Sequence, residues 1–218
     1  MTPRPSAPRA RLRTGTRKGR LLPVIGITGG IGSGKTAVAS LFRKWGGVVV
    51  SGDRIGHDIV DSSPRVRRRL IAAFGTDIES RGQIRRDRLA ALAFNSRESL
   101  QRLNRIVHPP LIRELNRQVA QARRSQRHQA VVIDAALLTE WGIGRVRWDC
   151  LVGVWAPAAE RRERARRKGW TDAQFRERSR WQMPWSERRR LVDCIVKNDS
   201  SLSVLQGRAR LCWMKLLS

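Results

Sequence analysis

The stretch that most constrains this chain is residues 24–36, VIGITGGIGSGKT. Its first five residues are mostly β-branched, a pattern that predicts a short buried strand. The next eight residues match G-x-x-x-x-G-K-[ST], the pattern of a phosphate-binding loop, and residues 37–42 predict a helix directly after it. The segment therefore has the strand–loop–helix order in which this motif binds nucleotide phosphates.

The residue types of the loop suit an anion. Glycines let backbone N–H groups approach a phosphate without a Cβ clash, and the helix N-terminus adds partial positive charge. We expect Lys35 to contact the β- and γ-phosphates and the Thr36 hydroxyl to bind Mg²⁺. The predicted nucleotide-binding residues of the loop are Gly29, Gly30, Ile31, Gly32, Ser33, Gly34, Lys35, Thr36 and Ala37.

Two further apolar runs lead to an acidic residue. Residues 48–50 predict a second strand followed by Asp53, and residues 129–138 predict a third strand that contains Asp134. Ligands of open parallel sheets lie beyond the carboxyl ends of the strands, so both carboxylates are expected beside the loop. Asp53 is a candidate general base or Mg²⁺ ligand, and Asp134 is a candidate for holding Mg²⁺ through water. For each, capping of a following helix is the alternative.

The order of the remaining patterns predicts an α/β fold, a three-layer sandwich around a parallel sheet. Further helices are predicted at 65–74, 86–94, 99–121, 158–168 and 201–217, and further strands at 148–155 and 191–198. We expect a core of residues 21–63, 129–156 and 184–218, a helical insert at 64–128 and a helical lid at 157–183. In the lid, Arg161, Arg164 and Lys168 share one helix face, which either closes over phosphates or is simply solvated.

Charge and composition limit the function classes. The net charge is +27, which suggests nucleic acid, but the arginines are spread along the chain without interleaved aromatic residues. Nucleic acid is therefore not expected as the primary partner. Residues 1–20 contain no acidic residue and no apolar signal segment, and they predict a disordered basic tail, with a transit peptide as the alternative. No run is long enough to span a membrane, and the three cysteines lack metal-ligand spacing, so we expect a cytoplasmic protein.

Motifs beyond the loop resemble those of the dephospho-coenzyme A kinase family, over residues 22–205. The matching residues, in chain order, are Phe74-Gly75, Arg86, Leu103-Asn104, His108-Pro109, Asp134, Leu137-Leu138, Glu140, Arg164, Lys168, Gln182-Met183, Val192-Asp193, Ile195 and Asn198. This family transfers the γ-phosphoryl group of ATP to the ribose 3′-hydroxyl of dephospho-CoA, which is the last step of coenzyme A synthesis.

The resemblance implies ATP and Mg²⁺ as cofactors and dephospho-CoA as the second substrate. It implies that Asp53 accepts the hydroxyl proton, that Arg164 neutralises the moving phosphoryl group beside Lys35, and that Asn198 lies near the adenine. The insert at 64–128 would bind the CoA moiety. The substrate-binding residues that it implies are His57, Arg86 and His108. The oligomeric state is left open.

Several positions depart from the family pattern. Ser51 stands where a second Asp is usual, His57 replaces an Arg, Ala136 a Pro and Arg161 a Gln. The departures at 51, 57 and 136 concern the acceptor side, whereas the ATP side is intact. Two alternatives remain: another small-metabolite or nucleoside-monophosphate kinase with the same loop, and a non-catalytic nucleotide- or RNA-binding relative.

Overall fold

The computed structural model describes residues 21–125, 127–141 and 144–218, so the predicted tail at 1–20 lies outside the described residues. The strands are β1 (Val24–Thr28), β2 (Gly47–Ser51), β3 (Glu79–Ser80), β4 (Gln83–Ile84), β5 (Ala130–Asp134), β6 (Cys150–Trp155) and β7 (Cys194–Lys197). The helices are α1 (Lys35–Lys44), α2 (Gly52–Ser62), α3 (Pro64–Phe74), α4 (Arg86–Ala93), α5 (Arg97–Arg123), α6 (Ala158–Arg166), α7 (Asp172–Arg180), α8 (Trp185–Arg188) and α9 (Leu202–Leu217).

Within these ranges the main sheet has five parallel strands in the order β2-β5-β1-β6-β7. All residues of β1 and β5 are buried, as expected for strands that have neighbours on both sides and helices on both faces. The predicted parallel α/β sandwich is confirmed. From β1 the chain continues to β2, on one side of β1, whereas from β5 it continues to β6, on the other side of β1. The carboxyl ends of β1 and β5 therefore border a crevice where the direction of the connections changes.

Two apolar cores fill the spaces above and below the sheet. Successive residues of β1 alternate between them, because side chains in a strand point to opposite faces. Ile25 and Ile27 pack with α1 and α9, where Phe42 and Trp213 meet at a ring-centroid distance of 4.9 Å. Val24 packs in the other core, with residues of α2 to α5. The sheet therefore holds the loop after β1 rigidly from both faces.

The structure adjusts the predicted element bounds. β5 ends at Asp134 rather than at residue 138, because β2 ends in register with that residue and β1 runs only one residue further. β7 begins at Cys194 rather than at residue 191, and it pairs with β6 alone. The helices predicted in the insert are confirmed as α3, α4 and α5, whereas the small β3–β4 hairpin was not predicted.

None of the helices in the described ranges combines the length and the hydropathy that crossing a bilayer requires. The three cysteines are free, although the fold brings them close together on β6, β7 and α9.

Candidate active site

The loop between β1 and α1 requires glycine at two positions. Gly32 and Gly34 have φ values of 74° and 97°, in the left-handed region that favours glycine. Neighbouring groups also leave no room for a side chain. A Cβ on Gly32 would lie 2.3 Å from the backbone oxygen of Arg161, and one on Gly34 would lie 2.2 Å from Nδ2 of Asn198. The loop is therefore packed tightly against α6 and the segment after β7.

Lys35 folds back over this loop. Its Nζ donates to the backbone oxygens of Gly29, at 2.9 Å, and Gly30, at 3.1 Å. Burial lowers the pKa of Lys35 to about 8, although the nearby carboxylates of Asp134 and Asp53 favour the charged form. A polyphosphate bound in the loop would supply further negative charge and raise that pKa again.

The carboxylate of Asp134 faces the same space. Asp134 is 9% exposed, and burial raises its pKa, with the Thr36 hydroxyl and the Lys35 ammonium acting in the opposite direction. The nearby charge of Asp53 raises it further. The structure therefore brings together on this rim the predicted phosphate contact Lys35, the predicted base Asp53 and the two predicted Mg²⁺ ligands, Thr36 and Asp134.

These residues fit a magnesium ion of the kind that phosphate loops hold. Within the described residues no cluster of three or more His, Cys, Asp or Glu side chains could enclose a metal. A hydroxyl on Thr36 and a carboxylate on Asp134 are the hard oxygen donors that Mg²⁺ shares with water and substrate phosphates. The charge of Asp53 raises the pKa of Asp134, and a cation bound beside Asp134 would offset this repulsion.

The helix-cap alternative for the two acids is wrong. The N-cap of α2 is Ser51, whose Oγ accepts a hydrogen bond from the Arg54 backbone N–H at 3.3 Å. Asp53 lies in the first turn of α2 with its side chain exposed, and Asp134 is followed by turns rather than by a helix. Neither carboxylate is needed to begin a helix, so both are available for ligands.

A cavity of about 620 Å³ opens beside the loop, and we call it the acceptor cavity. It brings together Asp53 and the three predicted substrate-binding residues, and it touches Ile31 of the loop. The described residues that line it are Ile31, Gly52, Asp53, Gly56, His57, Val60, Arg86, Leu89, Ala90, Phe94, Leu100, Leu103, Asn104, Val107, His108, Leu111, Ala136, Leu137, Glu140, Trp141, Trp170, Arg178, Trp181 and Gln182. Its walls are largely apolar, and its volume is typical of small-molecule sites.

The predicted substrate residues occupy different depths of this cavity. His57 is exposed, one helical turn after Asp53 on the same face of α2. Arg86 is half-exposed, and its Nη2 lies 3.3 Å from Oδ2 of Asp61. His108 is partly buried against Trp141, with ring centroids 5.9 Å apart. Burial and the nearby charge of Arg145 lower the pKa of His108 to about 4, so this imidazole is neutral at pH 7.

Arg164 and Asn198 hold the loop from outside. Nδ2 of Asn198 donates to the backbone oxygen of Ser33 at 2.8 Å. Arg164 donates from Nη1 to the backbone oxygen of Gly32 at 3.3 Å and from Nη2 to that of Asn198 at 3.1 Å. It also pairs with Glu160 at 2.5 Å. Both predicted residues thus contact the loop through its carbonyl groups, a role that the sequence did not predict.

A buried arginine near the site was not predicted from the sequence. Arg188 is 1% exposed, and its guanidinium donates to the Thr28 and Thr139 hydroxyls, to Glu140 at 2.7 Å and to the Met183 carbonyl at 3.2 Å. It ties the end of β1 to the turn after β5. In the sequence it is one of three consecutive arginines, and only long-range contacts distinguish it from its neighbours.

A second unpredicted group lines the acceptor cavity from α7. The guanidinium of Arg178 lies 4.6 Å from the ring centroid of Phe94 and 4.4 Å from that of Trp170, within cation–π distance. Gln182 accepts a hydrogen bond from the backbone N–H of Ile31 at 2.8 Å. Residues of the predicted lid therefore already touch both the cavity and the loop.

Comparison with known proteins identifies relatives across nearly the whole chain. The family model described as dephospho-CoA kinase (CoaE) matches residues 23–203. The dephospho-CoA kinase of Corynebacterium diphtheriae is 34% identical over 194 residues, which cover 88% of this chain and 96% of the relative. That of Corynebacterium glutamicum is 36% identical over 196 residues, covering 89% and 97%.

Solved structures show the same fold. The protein TT1252 from Thermus thermophilus is 30% identical, with a TM-score of 0.76, covering 91% of this chain and 100% of that one. Dephospho-CoA kinase from Campylobacter jejuni is 18% identical with a TM-score of 0.59, covering 89% and 97%, which supports the fold alone.

Proposed function

The chain belongs to the dephospho-CoA kinase family, and we propose that it transfers the γ-phosphoryl group of ATP to the 3′-hydroxyl of the ribose of dephospho-CoA. One observation supports this proposal most directly. The acceptor cavity opens onto the phosphate loop at Ile31 and contains the carboxylate of Asp53 at the same rim. An acceptor in the cavity would therefore meet a phosphate in the loop beside a base.

On the ATP side, the loop residues 29–37 bind the phosphates through backbone N–H groups, and Lys35 reaches the β- and γ-phosphates. Asn198 and Arg164 hold the loop through its carbonyl groups, and Asn198 borders the adenine. When bound, Mg²⁺ neutralises charge on the β- and γ-phosphate oxygens. Thr36 would hold it directly and Asp134 through water, as the donor types at these positions suggest.

On the acceptor side, Asp53 accepts a hydrogen bond from the ribose hydroxyl. This bond orients the hydroxyl oxygen towards the γ-phosphorus. His57, Arg86 and His108 line the path of the acceptor. The apolar walls suit the long pantetheine arm of dephospho-CoA, and the guanidinium groups of Arg86 and Arg178 in the lining suit its diphosphate. Catalysis then rests on positioning and charge neutralisation, with little covalent chemistry from the protein.

The region 157–183 is proposed to act as a lid, and the insert at 64–128 as the substrate domain. Arg164 already contacts the loop, and Trp170, Arg178 and Trp181 already line the acceptor cavity. Closure over both substrates would bring Arg164 to the moving phosphoryl group and exclude water. We further infer that the enzyme works in the cytoplasm on these two small molecules, with nucleic acid not a primary partner.

The test compares acceptors and one variant. ADP release is measured with dephospho-CoA, AMP and shikimate as acceptors, and the product is identified by ³¹P NMR. We expect turnover with dephospho-CoA far above the others. Comparable turnover with AMP would instead favour a nucleoside-monophosphate kinase, and binding of ATP without turnover on any acceptor would favour a non-catalytic relative.

Asp53→Asn tests the base. It keeps the shape of the side chain but removes most of its basicity, so we expect kcat to fall by about 10²–10⁴ while ATP affinity changes little. Asp58→Asn, a change of an exposed carboxylate on the same helix, is the matched control. If Asp53→Asn retained turnover within a few-fold of the wild type, Asp53 would not be the base. If Asp53→Asn lost both turnover and affinity for ATP with Mg²⁺, Asp53 would belong to the metal site instead.

A further inference from the structure

A second cavity, of about 440 Å³, borders other residues of the phosphate loop, and we call it the hinge cavity. It touches Gly30 and Ser33 of the loop. One wall is formed by residues 154–158 at the end of β6 and the start of α6. Another wall is formed by residues 179, 180 and 182–185, where α7 leads to α8. The cavity thus lies between the two segments that join the proposed lid to the sheet.

The hinge cavity is positively charged. Among the described residues that line it, Arg161, Arg180 and Arg188 are cationic and none is a carboxylate. Arg188 is balanced by Glu140, whereas Arg161 takes part in no ion pair among the described residues. Burial and the neighbouring charge of Arg188 lower the pKa of Arg161, whose guanidinium has the Phe175 ring at 5.7 Å but no carboxylate of the described residues beside it. A cation in such surroundings favours a negatively charged ligand.

Three polar atoms on residues that line this cavity also lack hydrogen-bond partners in the described part of the chain. They are Nε of Arg161 and the hydroxyls of Ser33 and Ser179, and each of these atoms is buried. Ser33 as a whole is 1% exposed. Native proteins rarely leave buried polar groups unpaired, so three in one cavity call for an occupant. These three atoms belong to three different elements, namely the loop, α6 and α7. Their presence in one cavity is therefore not a result of their being neighbours on a single element.

We propose that the hinge cavity is a second oxyanion site, in which a phosphate group binds between Arg161, Ser33 and Ser179. A guanidinium presents donors in a planar fork that matches phosphate oxygens, and each serine hydroxyl donates one more hydrogen bond. Trp155 and Trp185 line the same cavity and would cover the organic part of a phosphate monoester. A free phosphate ion would use the polar groups alone. The site does not depend on which acceptor the kinase uses.

An anion at this site would act on the ATP loop. A Cβ added to Gly30 would lie 2.3 Å from Nη1 of Arg161, so the guanidinium packs directly against the loop backbone. The carbonyl of Gly30 in turn accepts the hydrogen bond from Nζ of Lys35. A ligand that fixes Arg161 therefore also restrains the backbone that positions Lys35.

The experiment must separate this site from the ATP loop, which also binds phosphate. Isothermal titration calorimetry with inorganic phosphate is performed on the full chain saturated with a non-hydrolysable ATP analogue and Mg²⁺. We expect one further phosphate to bind to the wild type. Arg161→Gln should weaken that binding about tenfold or more, since a charge-assisted hydrogen bond is lost. Arg176→Gln, at an exposed position of α7, is the charge-matched control and should leave it unchanged.

Further variants keep the test independent of folding and of the loop. Ser179→Ala removes one hydroxyl and should also weaken phosphate binding, with thermal melting used to confirm that each variant is folded. Lys35→Ala, titrated without nucleotide, should retain the second phosphate. Absence of any further binding event in the saturated wild type would overturn the proposal. Equal affinity of the wild type and a folded Arg161→Gln would overturn it as well.

A parallel titration with phenyl phosphate identifies the kind of ligand. Tighter binding than inorganic phosphate would support a phosphate monoester that stacks on the tryptophans. Equal binding would support the free ion in the same oxyanion site.

Discussion

Replacement of Arg188 by Met should strongly destabilise the fold. The guanidinium is almost completely buried and forms an ion pair of 2.7 Å with Glu140, besides its bonds to Thr28, Thr139 and the Met183 carbonyl. Methionine fills much of the same space but donates to none of them. Breaking a buried pair by removing one partner costs about 3–5 kcal/mol, because the other charge is left uncompensated.

The structure places the expected cost in the lower part of that range. Glu140 keeps two donors when Arg188 is lost: the Thr139 hydroxyl at 2.7 Å and the Met183 backbone N–H at 3.0 Å. Its side chain is also 18% exposed, so water can reach it. We therefore expect a loss of about 3–4 kcal/mol in the free energy of unfolding, and a fall in Tm of about 6–16 °C for a chain of this size.

Urea unfolding followed by circular dichroism measures this loss, and a double-mutant cycle with Glu140→Gln tests its cause. If the pair is the cause, the double variant should cost at least about 1 kcal/mol less than the sum of the two single variants. Arg189→Met changes the exposed neighbour and should cost no more than about 0.5 kcal/mol. Strict additivity of the cycle, or a cost for Arg188→Met similar to that of the control, would refute the reasoning.

The other predictions concern the loop lysine and a partly buried histidine. Lys35→Ala should abolish phosphoryl transfer while leaving the fold intact, as checked by ADP release and by thermal melting; near-normal turnover would rule out the assigned role. Since the pKa of Lys35 is about 8 in the free protein, kcat/KM for ATP should fall as the pH rises through that value, and Lys35→Arg should remove the fall. A profile that stays flat to about pH 10 would contradict this. His108 has its pKa lowered to about 4, below the usual 6.5 of the unfolded chain, so the unfolded state binds the proton first. The free energy of unfolding should therefore fall by up to about 3 kcal/mol as the pH drops from about 6.5 to 4, and His108→Gln should flatten that slope, provided that its melting curve shows a folded protein.

The central strands could be predicted from the sequence because their environment is simple. β1, β5 and β6 are covered on both faces, so each reads as a continuous apolar run. The phosphate loop was equally clear, since its glycines are required by the backbone itself. The β3–β4 hairpin was missed because strands of two residues are too short to show a period.

The polar parts of the site depend on contacts that no local pattern reveals. Ser51 rather than Asp53 caps α2, although both residue types favour the N-cap position, and only the backbone decides between them. Asn198 meets Ser33 across 165 residues of chain. Arg188 and Arg161 acquire their roles by burial, in a chain where arginine is abundant everywhere. Sequence reasoning could place the carboxylates on one rim but could not select the arginines around them.

The central position of β1 has a consequence for how the chain folds. Its register joins Val24 to Val131 and Ile25 to Cys150, so both neighbours of this strand are synthesised long after it. Until residue 150 or so has left the ribosome, an apolar segment near the start of the chain lacks the partners for its backbone. Parallel pairing over such distances is slow because the loops must close before any contact forms. The nascent chain is therefore expected to need protection from aggregation during synthesis, and nucleotide can stabilise it only after the sheet has closed around β1.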